Sequence, residues 1–190
     1  MKKIPTLFQR NHAGDRRVRN EITPGCEWVL QGEGVATRKL DGTCCMVQSG
    51  ALYKRVTVKK NKRPPQGFIP ATDVDPNTGK QFGWVLVGDG PGDQWHREAW
   101  HATGCWLPDG TYELIGPKVN GNNEGVQRHR LERHATFRLC HVPRDFDGLR
   151  EYLARWHIEG VVWHHPDGRM AKVKARDFGI PWPRRKENTQ

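Results

Sequence analysis

Residues 35–58 read VATRKLDGTCCMVQSGALYKRVTV, and this stretch carries the strongest fold signal in the chain. Strand-forming residues at 35–39 and 44–48 flank the dipeptide Asp41-Gly42, a pattern that is typical of a β-hairpin. A third strand is predicted at 51–58, where branched and aromatic residues recur. The stretch therefore predicts consecutive antiparallel strands in the first third of the chain.

Further strand signals follow, separated by segments rich in Gly, Pro, Asp and Asn. The predicted strands are 82–87, 112–115, 135–142, 161–163 and 170–174, with a hairpin turn at Pro166-Asp167-Gly168 and loops at 63–80, 88–93 and 116–133. Phe146, Leu149, Leu153 and Trp156 recur at helical spacing and predict one amphipathic helix. Strands outnumber helices, which predicts an α+β domain with antiparallel sheets.

The chain has 190 residues, a length that favours a single domain over residues 1–190. Its formal net charge of +10 favours polyanionic partners such as nucleic acid, nucleotides or an anionic membrane surface. The basic residues cluster in three runs: Lys54, Arg55, Lys59, Lys60, Lys62 and Arg63; Arg128, Arg130 and Arg133; and Arg184, Arg185 and Lys186. Solvated loops would also account for such runs.

The five cysteines and the apolar segments bear on the cellular compartment. The cysteine count is odd and Cys-x-x-Cys is absent, which argues against a disulfide framework and a structural zinc site. No apolar stretch is long enough to span a bilayer, and the N-terminus does not resemble a signal peptide. We therefore expect a cytoplasmic protein with reduced thiols and no membrane partner.

Four short blocks contain residues that are candidates for chemistry, although each also has an ordinary structural explanation. Lys39 stands two residues before Asp41, as an exposed lysine before a turn would. Glu113 lies in an apolar strand, on either its buried or its solvated face. Glu159 precedes Gly-Val-Val, and Lys172 and Lys174 alternate on one strand. Two lysines on one face repel each other unless an anion binds there, or they simply protect an edge strand.

The order of these blocks decides between the explanations. Lys-x-Asp-Gly, a strand Glu, Glu-Gly-Val-Val and Lys-x-Lys follow one another as in the covalent nucleotidyltransferases, the group of DNA ligases, RNA ligases and capping enzymes. The segment YELIGPKVNGN (112–122) resembles ATP-dependent RNA ligases, in which Gly-Pro follows the strand Glu. KLDGTCC (39–45) is most similar to the small vertebrate-type 5′-to-3′ RNA ligases. The resemblance extends from about residue 33 to residue 178.

The resemblance implies a nucleotidyltransferase (ligase adenylation) domain whose antiparallel sheets flank an ATP cleft. It implies a reaction in which a lysyl-AMP formed on Lys39 passes its AMP to a 5′-phosphate RNA end, which a 3′-hydroxyl then attacks. A lysine is a nucleophile only when neutral, and Lys172 and Lys174 would disfavour a further positive charge beside them. They would also bind the α-phosphate oxygens.

The remaining roles follow from the same resemblance. Asp41 and Glu159 would hold a hydrated Mg²⁺, with Mn²⁺ as an alternative, and Glu113 would accept hydrogen bonds from the ribose. Arg55 would contact the RNA 5′-phosphate or the nucleotide. Phe137 is our choice for the aromatic residue that stacks on adenine. The predicted partners are ATP and RNA with 5′-phosphate and 3′-hydroxyl ends, for RNA repair, and the sequence identifies no protein partner.

Two positions depart from related patterns. Arg38 stands where some viral RNA ligases have Glu, and Cys44 stands where many DNA ligases have Arg. Too few residues follow Lys174 for the C-terminal OB-fold domain of capping enzymes and most DNA ligases. A guanylyltransferase, a DNA ligase and a catalytically inactive RNA-binding module remain alternatives. Asp89, Asp93, Trp95 and His96 form either a substrate- or metal-binding lip or a loop with a core tryptophan.

Overall fold

The computed structural model describes residues 4–183, and within them strands predominate over helices. The strands are β1 (Phe8–Arg10), β2 (Val18–Ile22), β3 (Val35–Lys39), β4 (Thr43–Gln48), β5 (Ala51–Val58), β6 (Ile69–Pro70), β7 (Gln81–Leu86), β8 (Gly110–Ile115), β9 (Arg130–Arg133), β10 (Gly160–His164) and β11 (Met170–Lys174). The α-helices are α1 (Glu27–Leu30), α2 (Gln94–His101) and α3 (Phe146–Arg155). All strand pairs are antiparallel, so the predicted α+β class with antiparallel sheets is confirmed.

The chain divides into two compact units. We call Asp41–His134 the inserted unit, and Ile4–Leu40 together with 135–183 the flanking unit, because its two segments flank the inserted unit in sequence. A single nucleotidyltransferase domain over residues 1–190 stays a prediction. The basic run Arg184, Arg185 and Lys186 lies outside the described residues.

The flanking unit is built on a three-stranded sheet in the order β11–β10–β3. Its central strand has the apolar sequence Val161-Val162-Trp163, which is buried. On one face, Trp163 packs in a core that also receives Leu149 and Leu153 from α3. Asp145 is the N-cap residue that precedes this helix. Its side chain accepts a hydrogen bond from the Gly148 backbone N–H at 2.8 Å. The predicted amphipathic helix is confirmed, but it ends before Trp156, which is 52% exposed.

The inserted unit contains a six-stranded sheet in the order β6–β7–β5–β4–β8–β9. One face of this sheet carries the core residues Cys45, Val47, Leu52, Tyr112 and Leu114, against which Ala99 of α2 packs. Because side chains alternate along a strand, Cys44 and Glu113 project from the opposite face. In the part of the chain that the structure describes, no helix is long and apolar enough to cross a membrane.

The hairpin predicted across Asp41-Gly42 is wrong, because β3 and β4 belong to different sheets. β3 pairs along its whole length with β10. The chain at Gly42 packs so closely on β8 that a Cβ there would lie 2.2 Å from the Leu114 carbonyl oxygen. The turn that does form a hairpin in this stretch is Ser49-Gly50, where both residues have positive φ and connect β4 to β5.

Other sequence predictions have mixed outcomes. The strand predicted at 135–142 is wrong: positive φ angles at Ala135 and His141 interrupt the segment, which retains one β-bridge, from Arg138 to Thr37. The loop predicted at 116–133 contains β9, and α2, β1 and β2 were not predicted. The hairpin of β10 and β11 is confirmed, with His164 opposite Met170.

Candidate active site

Three lysines share one face of the three-stranded sheet. Lys39 of β3 lies opposite Gly160 of β10, and Gly160 lies opposite Lys174 of β11. The adjacent row consists of Thr37, Val162 and Lys172. With a strand spacing of about 4.8 Å, the outer strands of a row lie roughly 10 Å apart, a distance that two long lysine side chains can bridge through a shared anion. The glycine in the central position leaves the space above it free of a side chain.

Glu159 directly precedes β10, and its carboxylate forms an ion pair with the Lys39 ammonium group. The Glu159 side chain is only 7% exposed, so it requires a positive partner in this environment. Lys39 Nζ also donates a hydrogen bond to the Leu40 carbonyl oxygen at 3.2 Å. Lys39 is therefore held against an acidic partner in the structure described here.

Lys172 and Lys174 lie in an environment that opposes their charge. Burial, followed by the charges of Lys39 and Lys174, lowers the pKa of Lys172 to about 8. Burial also lowers the pKa of Lys174, although Asp177 and Glu159 act in the opposite direction. A folded protein accepts such a cost mainly where the charges serve a function. This face thus concentrates positive charge in a partly buried environment, and anion binding there stays a prediction.

Lys172 and Lys174 do not lie on an exposed edge strand, because another segment of the chain runs beside β11. The N-terminal segment runs along β11: the Lys172 backbone N–H donates to the Pro5 carbonyl oxygen at 3.0 Å, and the Leu7 N–H donates to the Lys172 carbonyl oxygen at 2.7 Å. These hydrogen bonds satisfy the polar groups that an exposed edge would offer to another chain. The edge-strand explanation for Lys172 and Lys174 therefore loses its basis.

Two supporting residues were missed by the sequence analysis. Asp177, which is fully buried, accepts a hydrogen bond from the Lys174 backbone N–H at 2.9 Å and also forms an ion pair with Arg10. It thereby fixes the end of β11, where Lys174 is located. The spacing Lys174-Ala-Arg-Asp177, with an acidic residue in the first turn of a short helix, is the local signal that could have identified it.

Glu113 and Arg55 belong to the inserted unit and project from the same face of its sheet, as the strand register shows. Glu113 contacts His134 through Nε2 at 2.8 Å. The Arg55 guanidinium lies 4.4 Å from the centre of the Phe82 ring, and its Nε is buried with no hydrogen-bond partner among the described residues. Arg55 therefore packs on Phe82 through its guanidinium, and its contact with the RNA 5′-phosphate or the nucleotide stays a prediction.

Asp41 occupies a loop of the inserted unit that surrounds its carboxylate with amides. Asn120 Nδ2 donates to one carboxylate oxygen at 2.9 Å, and Asn123 Nδ2 donates to the other at 2.7 Å. The Asp41 backbone N–H donates to Glu124 at 2.8 Å. These contacts show a role in loop structure, and the metal-binding role of Asp41 stays a prediction.

Phe137 lies in the flanking unit beside β3, where its carbonyl oxygen accepts a hydrogen bond from the Arg38 N–H at 2.8 Å. Its side chain is 38% exposed, which leaves the ring accessible for stacking. Its role as the adenine-stacking residue stays a prediction.

The segment after β7 has contacts that suit a structural role. Asp93 pairs with Lys54 and accepts a hydrogen bond from the Gly88 N–H at 2.9 Å, and these partners lower its pKa in spite of burial. Trp95 stacks on His129 with ring centres 4.6 Å apart. Burial lowers the pKa of His96. Trp95 and His96 lie on α2 and not in the expected loop, and the contacts of this segment suit a structural role better than a metal-binding lip.

Comparison with known proteins adds an independent line of support. Residues 105–190 match a family model described as RNA ligase 1. RNA ligase 1 of Mus musculus is 27% identical over 226 residues, covering 78% of this chain and 68% of the relative. RNA ligase 1 of Rattus norvegicus is 27% identical over 230 residues with the same coverage. RNA ligase 1 of Danio rerio is 29% identical over 138 residues, covering 62% of this chain and 42% of the relative.

These matches agree with the resemblance that was first seen in the ordered motifs between Lys39 and Lys174. The resemblance to RNA ligases is therefore confirmed: the chain is similar to RNA ligase 1 proteins, and its residues 105–190 match their family model.

Proposed function

We propose that this chain is an ATP-dependent RNA ligase that joins 5′-phosphate and 3′-hydroxyl RNA ends through a lysyl-AMP intermediate on Lys39. The observation that carries the proposal is the arrangement of Lys39 with Lys172 and Lys174 on one sheet face, with Glu159 in contact with Lys39. The similarity to RNA ligase 1 proteins supports the class of reaction. The cytoplasm, which keeps thiols reduced, is the compartment that we propose for it.

In the first step, Lys39 Nζ attacks the α-phosphorus of ATP. A nitrogen–phosphorus bond forms, the bond to the pyrophosphate oxygen breaks with that oxygen keeping the electron pair, and the proton lost from Nζ passes to solvent. Glu159 contacts the Lys39 ammonium group in the structure, and an ammonium nitrogen has no free electron pair with which to attack. We infer that the observed pair is a resting state and that Glu159 must find another cation before Lys39 reacts.

A hydrated Mg²⁺ is suited to that exchange. The nearly buried Glu159 carboxylate needs a cation, and Asp41 offers a second carboxylate, the kind of oxygen ligand that Mg²⁺ prefers. Both residues therefore fit as candidate ligands, with Mn²⁺ as an alternative ion. When bound, the metal supplies charge neutralisation for the phosphates.

Lys172 and Lys174 have a separate task. Negative charge grows on the nonbridging α-phosphate oxygens as Lys39 attacks, and two ammonium groups held by β11 can stabilise it without reorganisation. Binding of this anion also relieves the repulsion among the three lysines. The cost of placing these charges in a half-buried environment is thus recovered when the phosphate binds.

The later steps use positioning rather than a new lysine bond. AMP moves from Lys39 to the RNA 5′-phosphate, and the 3′-hydroxyl oxygen then attacks that phosphorus and releases AMP. Glu113 is proposed to bind the ribose, Arg55 the 5′-phosphate or the nucleotide, and Phe137 the adenine. The location of Glu113 and Arg55 on one face of their sheet and the exposed ring of Phe137 support these roles.

The deciding experiment incubates the protein with Mg²⁺ and α-labelled ATP or GTP, followed by denaturing electrophoresis. We expect an acid-labile, base-stable adduct with ATP that is absent in Lys39→Ala. Lys59→Ala, which removes an exposed lysine just after β5, is the matched control and should label normally. Labelling of Lys39→Ala would contradict the proposal, preference for GTP would indicate a guanylyltransferase, and no adduct at all would favour an inactive RNA-binding module.

A further inference from the structure

A cluster of three different ligand types occupies the open face of the sheet in the inserted unit. It consists of Cys44, Glu113 and His134, and their ligand atoms all lie within 4.8 Å of one another. All three residues are partly buried. The cluster combines a thiol, a carboxylate and an imidazole, which are the side chains that bind zinc most often in proteins.

The sheet itself brings these residues together. Cys44 of β4 stands directly opposite Glu113 of β8 in the strand register. His134 immediately follows β9, and its backbone N–H donates to the Thr111 carbonyl oxygen at 3.1 Å. The three ligands therefore come from neighbouring strands whose relative positions are fixed by backbone hydrogen bonds.

We propose that Cys44, Glu113 and His134 form a binding site for a thiophilic divalent cation of the Zn²⁺ type, with a fourth position open to water. Zinc bonds of about 2.3 Å to sulfur and about 2.0–2.2 Å to nitrogen and oxygen place tetrahedral ligands roughly 3.5 Å apart, so side-chain rotations suffice to close the present cluster. The thiolate distinguishes this site from one for Mg²⁺, which prefers oxygen ligands only. On binding, the metal replaces the thiol proton, which is released to solvent, and occupies His134 Nε2, so that the neutral ring carries its single proton on Nδ1.

A second group supports the imidazole. His134 Nδ1 lies 2.9 Å from the Thr111 hydroxyl oxygen, and Nε2 lies 2.8 Å from Glu113. If the metal binds Nε2, the ring proton lies on Nδ1. The Nδ1–H group can then donate a hydrogen bond to the Thr111 hydroxyl oxygen. A hydroxyl both donates and accepts, so the same contact persists in the metal-free and the metal-bound ring. Metal-binding histidines typically have such a partner on their other nitrogen.

The site has a consequence that rests on the proposed function. Glu113 is the residue proposed to accept hydrogen bonds from the ribose of ATP, and a carboxylate bound to zinc cannot fully serve both ligands. Zinc should therefore compete with ATP, and Lys39 adenylylation should slow as zinc occupies the cluster. The inserted unit would then contain an inhibitory site that responds to free zinc.

The test uses the full chain without ATP, titrated with Co²⁺ as a spectroscopic substitute and with Zn²⁺ by calorimetry. We expect one equivalent of Co²⁺ to produce a thiolate-to-cobalt absorption band that Zn²⁺ displaces. Cys44→Ser should remove the band, and Glu113→Gln and His134→Gln should each weaken binding by at least about 10-fold, as should Thr111→Val. Circular dichroism of each variant establishes that it is folded.

Cys105→Ser is the matched control, because Cys105 Sγ also lies close to a histidine nitrogen, His101 Nδ1 at 3.2 Å, but on an exposed surface. It should bind both metals like the wild type. The proposal is overturned if the band is absent, persists in Cys44→Ser or disappears in Cys105→Ser. Adenylylation without zinc binding would overturn this site alone, whereas zinc binding without adenylylation would overturn the proposed function alone.

Discussion

At the scale of single residues, the most informative observation is that charged side chains lie in positions where burial disfavours their charge. Lys172 is largely buried beside two other lysines, and its pKa falls to about 8. The sequence predicted that Lys172 and Lys174 face the same side, because strand alternation is a strict rule. It could not predict the cluster of Cys44, Glu113 and His134, because these residues are distant in sequence and their proximity depends on which strands pair.

The lowered pKa of Lys172 predicts a pH dependence of nucleotide binding. Phosphate binding favours the charged lysine, so affinity should be highest below pH 8 and decrease as the pH rises through about 8 and Lys172 loses its proton. The loss of one charge-assisted contact corresponds to roughly 10-fold weaker binding. The measurement is the Kd of an α,β-methylene ATP analogue, which cannot transfer AMP, between pH 7 and pH 9.5.

Lys172→Arg is the control for this prediction. Arginine stays charged throughout that range, so its affinity should change much less with pH than that of the wild type. An identical pH profile in both proteins would show that Lys172 does not titrate against the phosphate.

At the scale of secondary-structure elements, the sequence identified strands better than their partners. The segments at β3, β4, β5, β10 and β11 were predicted, yet the turn at Asp41-Gly42 was assigned to a hairpin that does not exist. A turn dipeptide reports local backbone preference, whereas β3 pairs with β10 about 120 residues later, which local preference cannot reveal. The order of the motifs did identify the similarity to RNA ligases, because a family resemblance reflects contacts between residues that are distant in sequence.

At the scale of elements, Gly160 is a position where the packing of two strands bears on the proposed chemistry. A Cβ at this glycine would lie 2.2 Å from the Val173 carbonyl oxygen of β11, so that β10 and β11 must separate to accommodate it. Gly160→Ala should therefore lower the free energy of unfolding by about 1–3 kcal/mol and displace Lys174 from Lys39. We expect a reduced rate of adenylate formation even at temperatures where the variant is folded.

Urea unfolding and single-turnover labelling with ATP measure these two effects. Gly92→Ala is the matched control, since a Cβ at Gly92 has no atom within 4 Å, and it should change stability by less than about 0.5 kcal/mol. Wild-type labelling by a destabilised Gly160→Ala variant would mean that the spacing of the two strands is not critical for chemistry.

At the scale of the whole molecule, the positive charge has two different uses. Lys54 pairs with Asp93, and Arg55 lies over Phe82, so these two residues of the first basic run are engaged within the inserted unit. The following residues Lys59, Lys60, Lys62 and Arg63 are exposed. Composition alone treated the run as one feature, and only the structure separates its internal contacts from its accessible surface.

The exposed part of this run should contribute to RNA binding. Binding to single-stranded RNA should weaken steeply with salt, and replacement of Lys59, Lys60 and Lys62 by serine should reduce the slope of log K against log salt by about 2. Fluorescence anisotropy over a salt series measures this slope. The double variant Arg150→Ser with Arg155→Ser removes exposed charge on α3 and is the control. An equal reduction of the salt slope in this control would mean that the RNA contacts are not specific to Lys59, Lys60 and Lys62.

The complete reaction can be divided by supplying its intermediate. Lys39 is required as a nucleophile only to load AMP from ATP, whereas sealing of RNA that is already adenylylated needs positioning and positive charge. Lys39→Ala should therefore fail with ATP and 5′-phosphate RNA but still join pre-adenylylated RNA. It removes the Lys39 ion pair of Glu159 but keeps the carboxylate that is proposed to hold the metal in both steps.

Glu159→Ala should accordingly be slow on both substrates, because it removes a proposed metal ligand as well as the partner of Lys39. One gel with both variants and both substrates provides the measurement, and Arg150→Ser, which removes an exposed charge on α3, should behave as the wild type in every lane. Activity of Lys39→Ala on ordinary 5′-phosphate RNA with ATP would show that Lys39 is not the nucleophile. Normal sealing of adenylylated RNA by Glu159→Ala would restrict Glu159 to holding Lys39 before the first step.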